Sequence, residues 1–269
     1  MDEYPWVADA ASGEDRELNV EQIRAGLAGS RLGEPLVYFP AIDSTNSWLK
    51  ANAAPDAPEG MVALTDNQTA GRGRIGRQWK VMPHQQLTFS ILTRPACPPY
   101  FLMMASALAV ATAIETVAGV TAGIKWPNDV LVSGKKVCGI LIETSSAMAI
   151  VGVGLNVNGS LAEDAELCGF AATLQDVTGR RLSREQLAIA IISRFDELYS
   201  RLKTDGLAAQ QQIRQLWSDH LTMLGHPVRV LQNGTYIAGI AEAVDEDGAL
   251  LVRGDDGVRH TITWGDVSA

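Results

Sequence analysis

Cysteine, histidine and aromatic residues are scarce in this chain: three cysteines, four histidines and 6% Phe, Trp and Tyr among 269 residues. Cys97, Cys138 and Cys168 are odd in number and widely spaced, matching neither a disulfide framework nor zinc ligation. They read as buried small apolar residues in a reducing compartment. His84, His220, His226 and His260 show no metal-ligand spacing, and no serine or cysteine sits in a nucleophile motif, which argues against a covalent hydrolase. Positive charge is also in deficit. A net charge of -9 and a pI near 4.9, with no basic stripe, lack the footprint of a general nucleic-acid binder. No apolar run is expected to reach the roughly 20 residues of a membrane span. Met1-Asp2-Glu3-Tyr4-Pro5-Trp6 has none of the basic and apolar regions of a signal peptide. The expected location is cytoplasmic, with no DNA and no membrane partner.

Against that background, Gly71-Arg72-Gly73-Arg74-Ile75-Gly76-Arg77-Gln78-Trp79-Lys80 gathers four cations and three glycines into ten residues. Glycines let the main chain turn through positive φ and expose consecutive N–H groups, while arginine forks match carboxylate or phosphate oxygens. A solvated turn would also hold Arg and Gly, but it gains nothing from their interleaving. No Lys-Ser or Lys-Thr follows the last glycine, so this is not a Walker loop. No long helix is expected to begin here, so it is not a dinucleotide fingerprint either.

The elements around this loop read as an α+β protein. Residues 1–33 are acidic overall and hold one short helix, around 20–27. Strand texture begins at Val37-Tyr38-Phe39, and Asp43-Ser44-Thr45-Asn46 offers N-caps for a short helix through Trp48 and Leu49. Strands are expected over 61–65 and 87–92, flanking the loop. Pro98-Pro99 should start a buried helix over 100–117. Further strands are expected over 129–132, 136–143 and 149–156, the first two joined by a tight turn at Ser133-Gly134. Helices follow from Ser183 to about Lys203 and over 207–224. Asn233-Gly234, Asp247-Gly248 and Asp256-Gly257 then punctuate short strands in the manner of a small barrel. The expected organisation is a 1–33 extension, a 34–224 domain with a mixed sheet backed by helices, and a 225–269 β domain.

Two further segments carry chemistry. In Lys125-Trp126-Pro127-Asn128-Asp129, Pro127 biases Trp126 towards an extended backbone and fixes Lys125 near a strand end, where its ammonium can bridge two anions. A structural turn with a solvated lysine and a core tryptophan is an equal reading of that segment. Asp129 suits a magnesium ligand or, better, the turn itself. In Val151-Gly152-Val153-Gly154-Leu155-Asn156, two glycines bare one face of a strand for a ligand or a packing element. Spacing alone favours the packing element.

Taken together, Ser44-Thr45-Asn46, the segment Gln68 to Arg77, Lys125 to Asp129, Lys136-Val137-Cys138-Gly139-Ile140-Leu141-Ile142-Glu143 and Val151 to Asn158 resemble biotin protein ligases in order and approximate spacing. The resemblance runs from about residue 35 to the end. It implies a catalytic domain like that of class II synthetases, with an SH3-like β-barrel at the C-terminus. The activity implied has two steps, with biotin and ATP, carried with Mg2+, as substrates and no tightly bound prosthetic group. Biotin and MgATP give biotinyl-5'-AMP and pyrophosphate, and a lysine of the biotin carboxyl carrier domain of an acyl-CoA or pyruvate carboxylase then takes the biotinyl group. Biotin's carboxylate is ionised at neutral pH, so activation needs no general base, only relief of repulsion between carboxylate and triphosphate.

By the same resemblance, Ser44, Thr45 and Gln68 hold the ureido ring, with Asn46 nearby. Gly71, Arg72, Gly73, Arg74, Lys125 and Gly139 belong to the biotin site. Arg72, Arg74, Lys125, Asn128 and Asn156 face the nucleotide, and Lys125 with Arg74 is the expected catalytic pair. A second loop, about Phe170 to Asp176, should close over the adenylate, and residues 71–80 should be mobile without ligand and ordered with it. The bifunctional members' N-terminal DNA-binding domain has no counterpart in 1–33, so repression is not expected, and the expected state is a monomer or weak homodimer. The alternatives are a lipoate or octanoate protein ligase, whose usual Arg-Arg-Ser-Gly-Gly-Gly loop is absent, and a non-catalytic biotin-binding regulator.

Overall fold

The computed structural model describes residues 16–145, 147–232 and 234–268; the N-terminal hexapeptide and Asn233 of the expected Asn-Gly turn lie outside the described residues. Seven strands form a mixed sheet: β1 (Leu36–Phe39), β2 (Val62–Thr65), β3 (Gln86–Thr93), β4 (Ala122–Lys125), β5 (Asp129–Val132), β6 (Lys135–Ser145) and β7 (Met148–Asn156). Their order is β1-β2-β3-β7-β6-β5-β4; β1 and β2 are parallel and every other pair is antiparallel. At Ser133-Gly134 both residues have positive φ, 51° and 76°, the geometry that matches a two-residue turn to strand twist.

One face of this sheet carries the core. Leu87, Phe89, Ile91, Val151, Val153, Leu155 and Cys138 are buried, packed in one cluster with α3 (Pro99–Ala118) and α5 (Arg184–Thr204). Helix α3 starts on proline and ends at left-handed Gly119. By length and composition it could cross a membrane, which corrects the expectation that no apolar run reaches that length; 72% of its apolar window is buried within this protein. The opposite face carries α2 (Thr45–Asn52), seated on a small cluster of Leu49, Ala63, Leu92 and Ile150. The short helix α1 (Val20–Gly26), capped by Asn19, packs through Ile23 into the main core with Leu18, Leu27 and Leu32.

Three elements depart from the sequence reading. Strand β4 was not anticipated. Helix α6 (Leu207–Asp219) stops earlier than expected, because the chain leaves it to bond β4: Ile124 N–H donates to His220 O at 2.8 Å, and Thr222 N–H to Ile124 O at 3.0 Å. A one-turn helix α4 (Leu174–Thr178) is closed by a capping box between Thr173 and Asp176. Of the cysteines, Cys138 is fully buried, which pushes its thiol pKa upward, whereas Cys97 and Cys168 are only partly buried.

The C-terminal strands β8 (Pro227–Gln232), β9 (Thr235–Val244), β10 (Leu250–Arg253), β11 (Arg259–Ile262) and β12 (Asp266–Ser268) form an antiparallel sheet in the order β11-β10-β9-β8-β12. Its edges β11 and β12 are not paired with each other among the described residues, so the expected SH3-like barrel does not close. This sheet is tied to the larger one by Trp126, whose indole Nε1 donates to Gly248 O at 2.9 Å.

A buried ion pair joins the N-terminal segment, β2 and α5. The Asp66 carboxylate accepts from the Arg184 guanidinium, from Tyr38 OH at 2.5 Å and from Leu18 N–H at 3.0 Å. Arg184→Met leaves that carboxylate buried without its cation and is expected to cost about 3–5 kcal/mol in urea unfolding. A double change, Asp66→Asn with Arg184→Met, should recover part of the loss; equal loss in both variants would contradict this account.

Candidate active site

Strand alternation puts one residue in two on the face away from the core. On that face Thr88 of β3, Gly154 of β7, Gly139 of β6 and Asp129 of β5 are successive cross-strand neighbours, followed one row along by Ser90, Gly152 and Leu141. The row therefore runs through two adjacent glycines, and the floor there is bare backbone. Trp79 lies on it: a Cβ at Gly154 would stand 2.7 Å from the Trp79 ring, and one at Gly139 3.0 Å. At Gly152 the approaching group is Asn46 of α2, 2.3 Å from where a Cβ would be. The two glycines on β7 thus admit a packing helix at one position and a loop residue at the other.

A β-bulge sets the key cation. Val130 opposes Cys138 while the next residue, Leu131, opposes Lys136, so Val137 is an extra residue in β6. In a regular strand Lys136 would share the core face with Cys138; the bulge turns it onto the Gly139 face. There its ammonium lies 2.7 Å from Asp129 Oδ1 and 5.7 Å from the Trp79 ring centroid. The Asp129 contact is ionic without hydrogen-bond alignment.

The cleft above this floor has a volume of about 350 Å³. Its lining brings together Ser44, Thr45, Asn46, Gln68, Arg72, Gly73, Arg74, Asn128, Asp129, Gly139 and Asn156, all expected from the sequence. Gly71 lines an outer recess behind the loop, where Trp79 O and Gln68 Nε2 approach too closely for a side chain. Lys125 is not in the lining: it ends β4, the edge strand beyond β5, opposite Asp129 in register. Lys136, Trp79, Gln86, Thr88 and Ser90 are in the lining as well, though sequence motifs assign them no role. The adjacency of two buried residues, Val137 and Cys138, is the sequence signal of the bulge, but it is masked by the apolar run that follows.

At the α2 end, Ser44 caps the helix by accepting from Ser47 N–H at 3.4 Å. Gln68 Oε1 accepts from Thr45 N–H at 2.9 Å and from its hydroxyl at 3.2 Å; Thr45 and Ser90 hydroxyls lie 2.6 Å apart, and Ser90 donates to Asn46 Oδ1 at 2.5 Å. These buried groups present hydroxyls and amides with both donor and acceptor capacity. At the other end Asn156 is committed within the protein, accepting from Gln86 Nε2 at 2.9 Å and donating to Ala172 O at 3.2 Å.

The Arg-rich loop is folded across the cleft. Gly73 N–H donates to Arg77 O at 2.7 Å and Trp79 N–H to Gly71 O at 3.0 Å, with Ile75 left-handed and exposed at the tip. Each cation has its own partner. Arg72 grips Glu143 through both nitrogens, at 3.2 and 2.6 Å, Arg74 donates to Asn128 Oδ1 at 2.8 Å, Arg77 pairs with Asp266, and Lys80 with Asp164. Burial draws the Arg74 pKa down from its ordinary value, yet a guanidinium stays charged at neutral pH. Among the described residues no three His, Cys, Asp or Glu side chains cluster as a metal site, and Asp129 faces the Lys136 ammonium. The Asp129 carboxylate is thus held in an ion pair with Lys136.

A polar inner end, a glycine floor and a set of partnered cations under a folded loop suit a small ligand with an uncharged polar end and an anionic one. The sequence profile of the Biotin/lipoate A/B protein ligase family matches residues 38–158, and that of the Biotin protein ligase C terminal domain matches residues 223–269. A biotin--[acetyl-CoA-carboxylase] ligase of Mycobacterium tuberculosis is 34% identical over 93% of this chain and 95% of its own length; that of Paracoccus denitrificans is 36% identical over 80% and 92%. The solved biotin protein ligase of Aquifex aeolicus, in complex with biotin and ATP, superimposes with a TM-score of 0.76 at 30% identity over 87% of this chain and 97% of that one. The chain belongs to the biotin protein ligase family.

The second wall of the cleft rests on Asp176, whose carboxylate accepts from Ser160 Oγ at 2.6 Å, Leu161 N–H at 3.0 Å and Thr173 N–H at 3.0 Å. Burial acts to raise its pKa, and these hydrogen bonds outweigh burial and lower it. A carboxylate whose pKa is depressed by folding stabilises above the ordinary carboxylate range, and that stabilisation disappears as pH falls through the lowered pKa. Asp176→Asn should thus unfold at lower urea than wild type at pH 7, with the gap narrowing below about pH 4; a gap independent of pH would contradict it. For the loop, limited proteolysis should cut within residues 71–80 more slowly when biotin and MgATP are present. Equal rates would remove ligand-dependent closure.

Proposed function

We propose that this chain is a biotin--[biotin carboxyl-carrier protein] ligase acting in the cytoplasm on a carrier domain of an acyl-CoA or pyruvate carboxylase, as a monomer or weak homodimer. Residues 34–224 activate biotin and residues 225–269 close the site, supplying Asp266 to the cleft wall. One observation carries this reading: a hydrogen-bonding recess and a set of paired cations share one cleft beneath the Gly-Arg-Gly-Arg loop.

In this reading the Ser44, Thr45, Asn46 and Gln68 recess holds the uncharged ureido ring, which needs donors and acceptors together. The apolar chain and ring lie in the cleft between this recess and the Trp79 ring, which itself rests on the glycine floor. The carboxylate then points to the loop, where Arg72, Gly73 and Arg74 surround it. Its oxygen attacks the α-phosphorus of MgATP, the bond to the β-phosphate breaks and pyrophosphate leaves. Lys136, placed on the cleft face by its bulge, supplies the cation that offsets repulsion between the two anions and the charge that grows at phosphorus. Lys125, expected from the motif to do this, stands outside the lining at the end of the edge strand. Asn128 orients Arg74, and Asn156 holds Gln86 and the second loop in place. Magnesium arrives with ATP. In the second step the carrier lysine's uncharged amine attacks the acyl carbon, the acyl–oxygen bond breaks, AMP leaves and the amine loses a proton.

Loss of one preorganised donor at a developing charge typically slows a step by about 10²–10³. Lys136→Ala is accordingly expected to lose biotin-dependent pyrophosphate release on that scale, while Lys125→Ala keeps it within about ten-fold. The reverse order would restore Lys125 to the catalytic position. Free lipoate should fail to compete with radiolabelled biotin for transfer to a carrier domain; effective competition would move the substrate assignment to the lipoate ligases.

A further inference from the structure

The loop and the second cleft wall meet at one charged pair. Residues 159–176 run along the mouth, with Leu161, Leu167, Phe170 and Ala171 in the lining. This segment is fixed to the strand that bears Lys136: Lys136 N–H donates to Phe170 O at 2.8 Å and Ala172 N–H to Lys136 O at 3.0 Å. Opposite it, Lys80 ends the Arg-rich loop, and its ammonium forms an ion pair with Asp164 Oδ2. The Asp164 carboxylate is already oriented, since Oδ1 accepts from Glu166 N–H at 3.0 Å and Leu167 N–H at 3.2 Å. The hydrogen bond between them raises the Lys80 pKa and lowers that of Asp164.

We propose that Asp164, through Lys80, is a specificity-determining clasp that keeps the acyl-adenylate in the cleft until the carrier lysine arrives. The inference rests on the ligase function proposed above. A mixed anhydride that escapes reacts with any accessible amine: the amine nitrogen bonds to the acyl carbon, the acyl–oxygen bond to AMP breaks, and the amine proton passes to solvent. Discrimination then depends on how seldom the mouth opens before transfer. Asp164 is not in the cleft lining, so its charge acts on opening and leaves the reacting groups untouched. An exposed pair shifts an open–closed equilibrium only modestly, here about two- to five-fold, and salt weakens it further.

The test uses the full chain with biotin, MgATP and hydroxylamine, which traps released adenylate as biotin hydroxamate. Asp164→Asn should keep the first-turnover pyrophosphate burst at the wild-type level while hydroxamate accumulates about two- to five-fold faster. The charge swap Lys80→Glu with Asp164→Lys should return leakage towards wild type, and rising salt should bring wild type up to the Asp164→Asn rate. Unchanged leakage, a burst that falls in parallel, or no rescue by the swap would each overturn the clasp. Absence of a biotin-dependent burst in wild type would instead refute the proposed function. In that event tryptic cleavage within 71–80 of the ligand-free protein still decides the clasp: faster cutting of Asp164→Asn supports it, and equal cutting overturns it.

Discussion

The bare cross-strand pair Gly139–Gly154 is the constraint on which the rest of the site depends. Two adjacent strands without side chains leave a floor low enough for the Trp79 ring to rest on main chain, and the loop carrying Trp79 is thereby brought down over the cleft. One row along, Gly152 admits Asn46 and with it the start of α2. The recess and the loop are positioned by the same missing side chains. A Cβ in these rows would overlap Asn46 or the Trp79 ring, so side chains there would push both away from the floor.

Electrostatics follows from that closeness. The loop sits low enough for Arg72 to reach Glu143 on β6, Arg74 to reach Asn128 before β5, and Lys80 and Arg77 to reach two other segments. Lys136 is likewise held by Asp129. Positive groups are thus stored in an acidic protein already oriented, so little reorganisation is left when an anionic substrate enters. The pairings are mostly exposed, hence individually weak. A loop held by several weak pairs can open, whereas one held by a buried pair such as Asp66–Arg184 would not.

Much of the fold could be read along the chain. Pro98-Pro99 before an apolar stretch, Ser183 before a helical period and Ser133-Gly134 between strands are local signals, because capping and turn chemistry involve residues a few positions apart. The recess was legible through Ser44 to Asn46 and Gln68, and the loop through its composition. What could not be read was pairing between distant segments. Strand β4 pairs with β5 and is bordered on its outer edge by His220 and Thr222, which return from the end of α6 to bond Ile124, and edges β11 and β12 of the C-terminal sheet are not paired with each other among the described residues.

The sequence by itself determined the family's motifs, the Arg-rich loop, the glycines of the floor and the alternation of elements, all of them properties of neighbouring residues. The tertiary structure decided which lysine lines the cleft. Counted by alternation, Lys136 belongs with buried Cys138, and Lys125 stands beside the more conspicuous Trp-Pro-Asn-Asp turn. One extra residue at Val137, visible only in the register of β5 against β6, turns Lys136 into the cleft and leaves Lys125 on the edge strand. Register is set by hydrogen bonds between strands, and a single slip exchanges the faces of a strand.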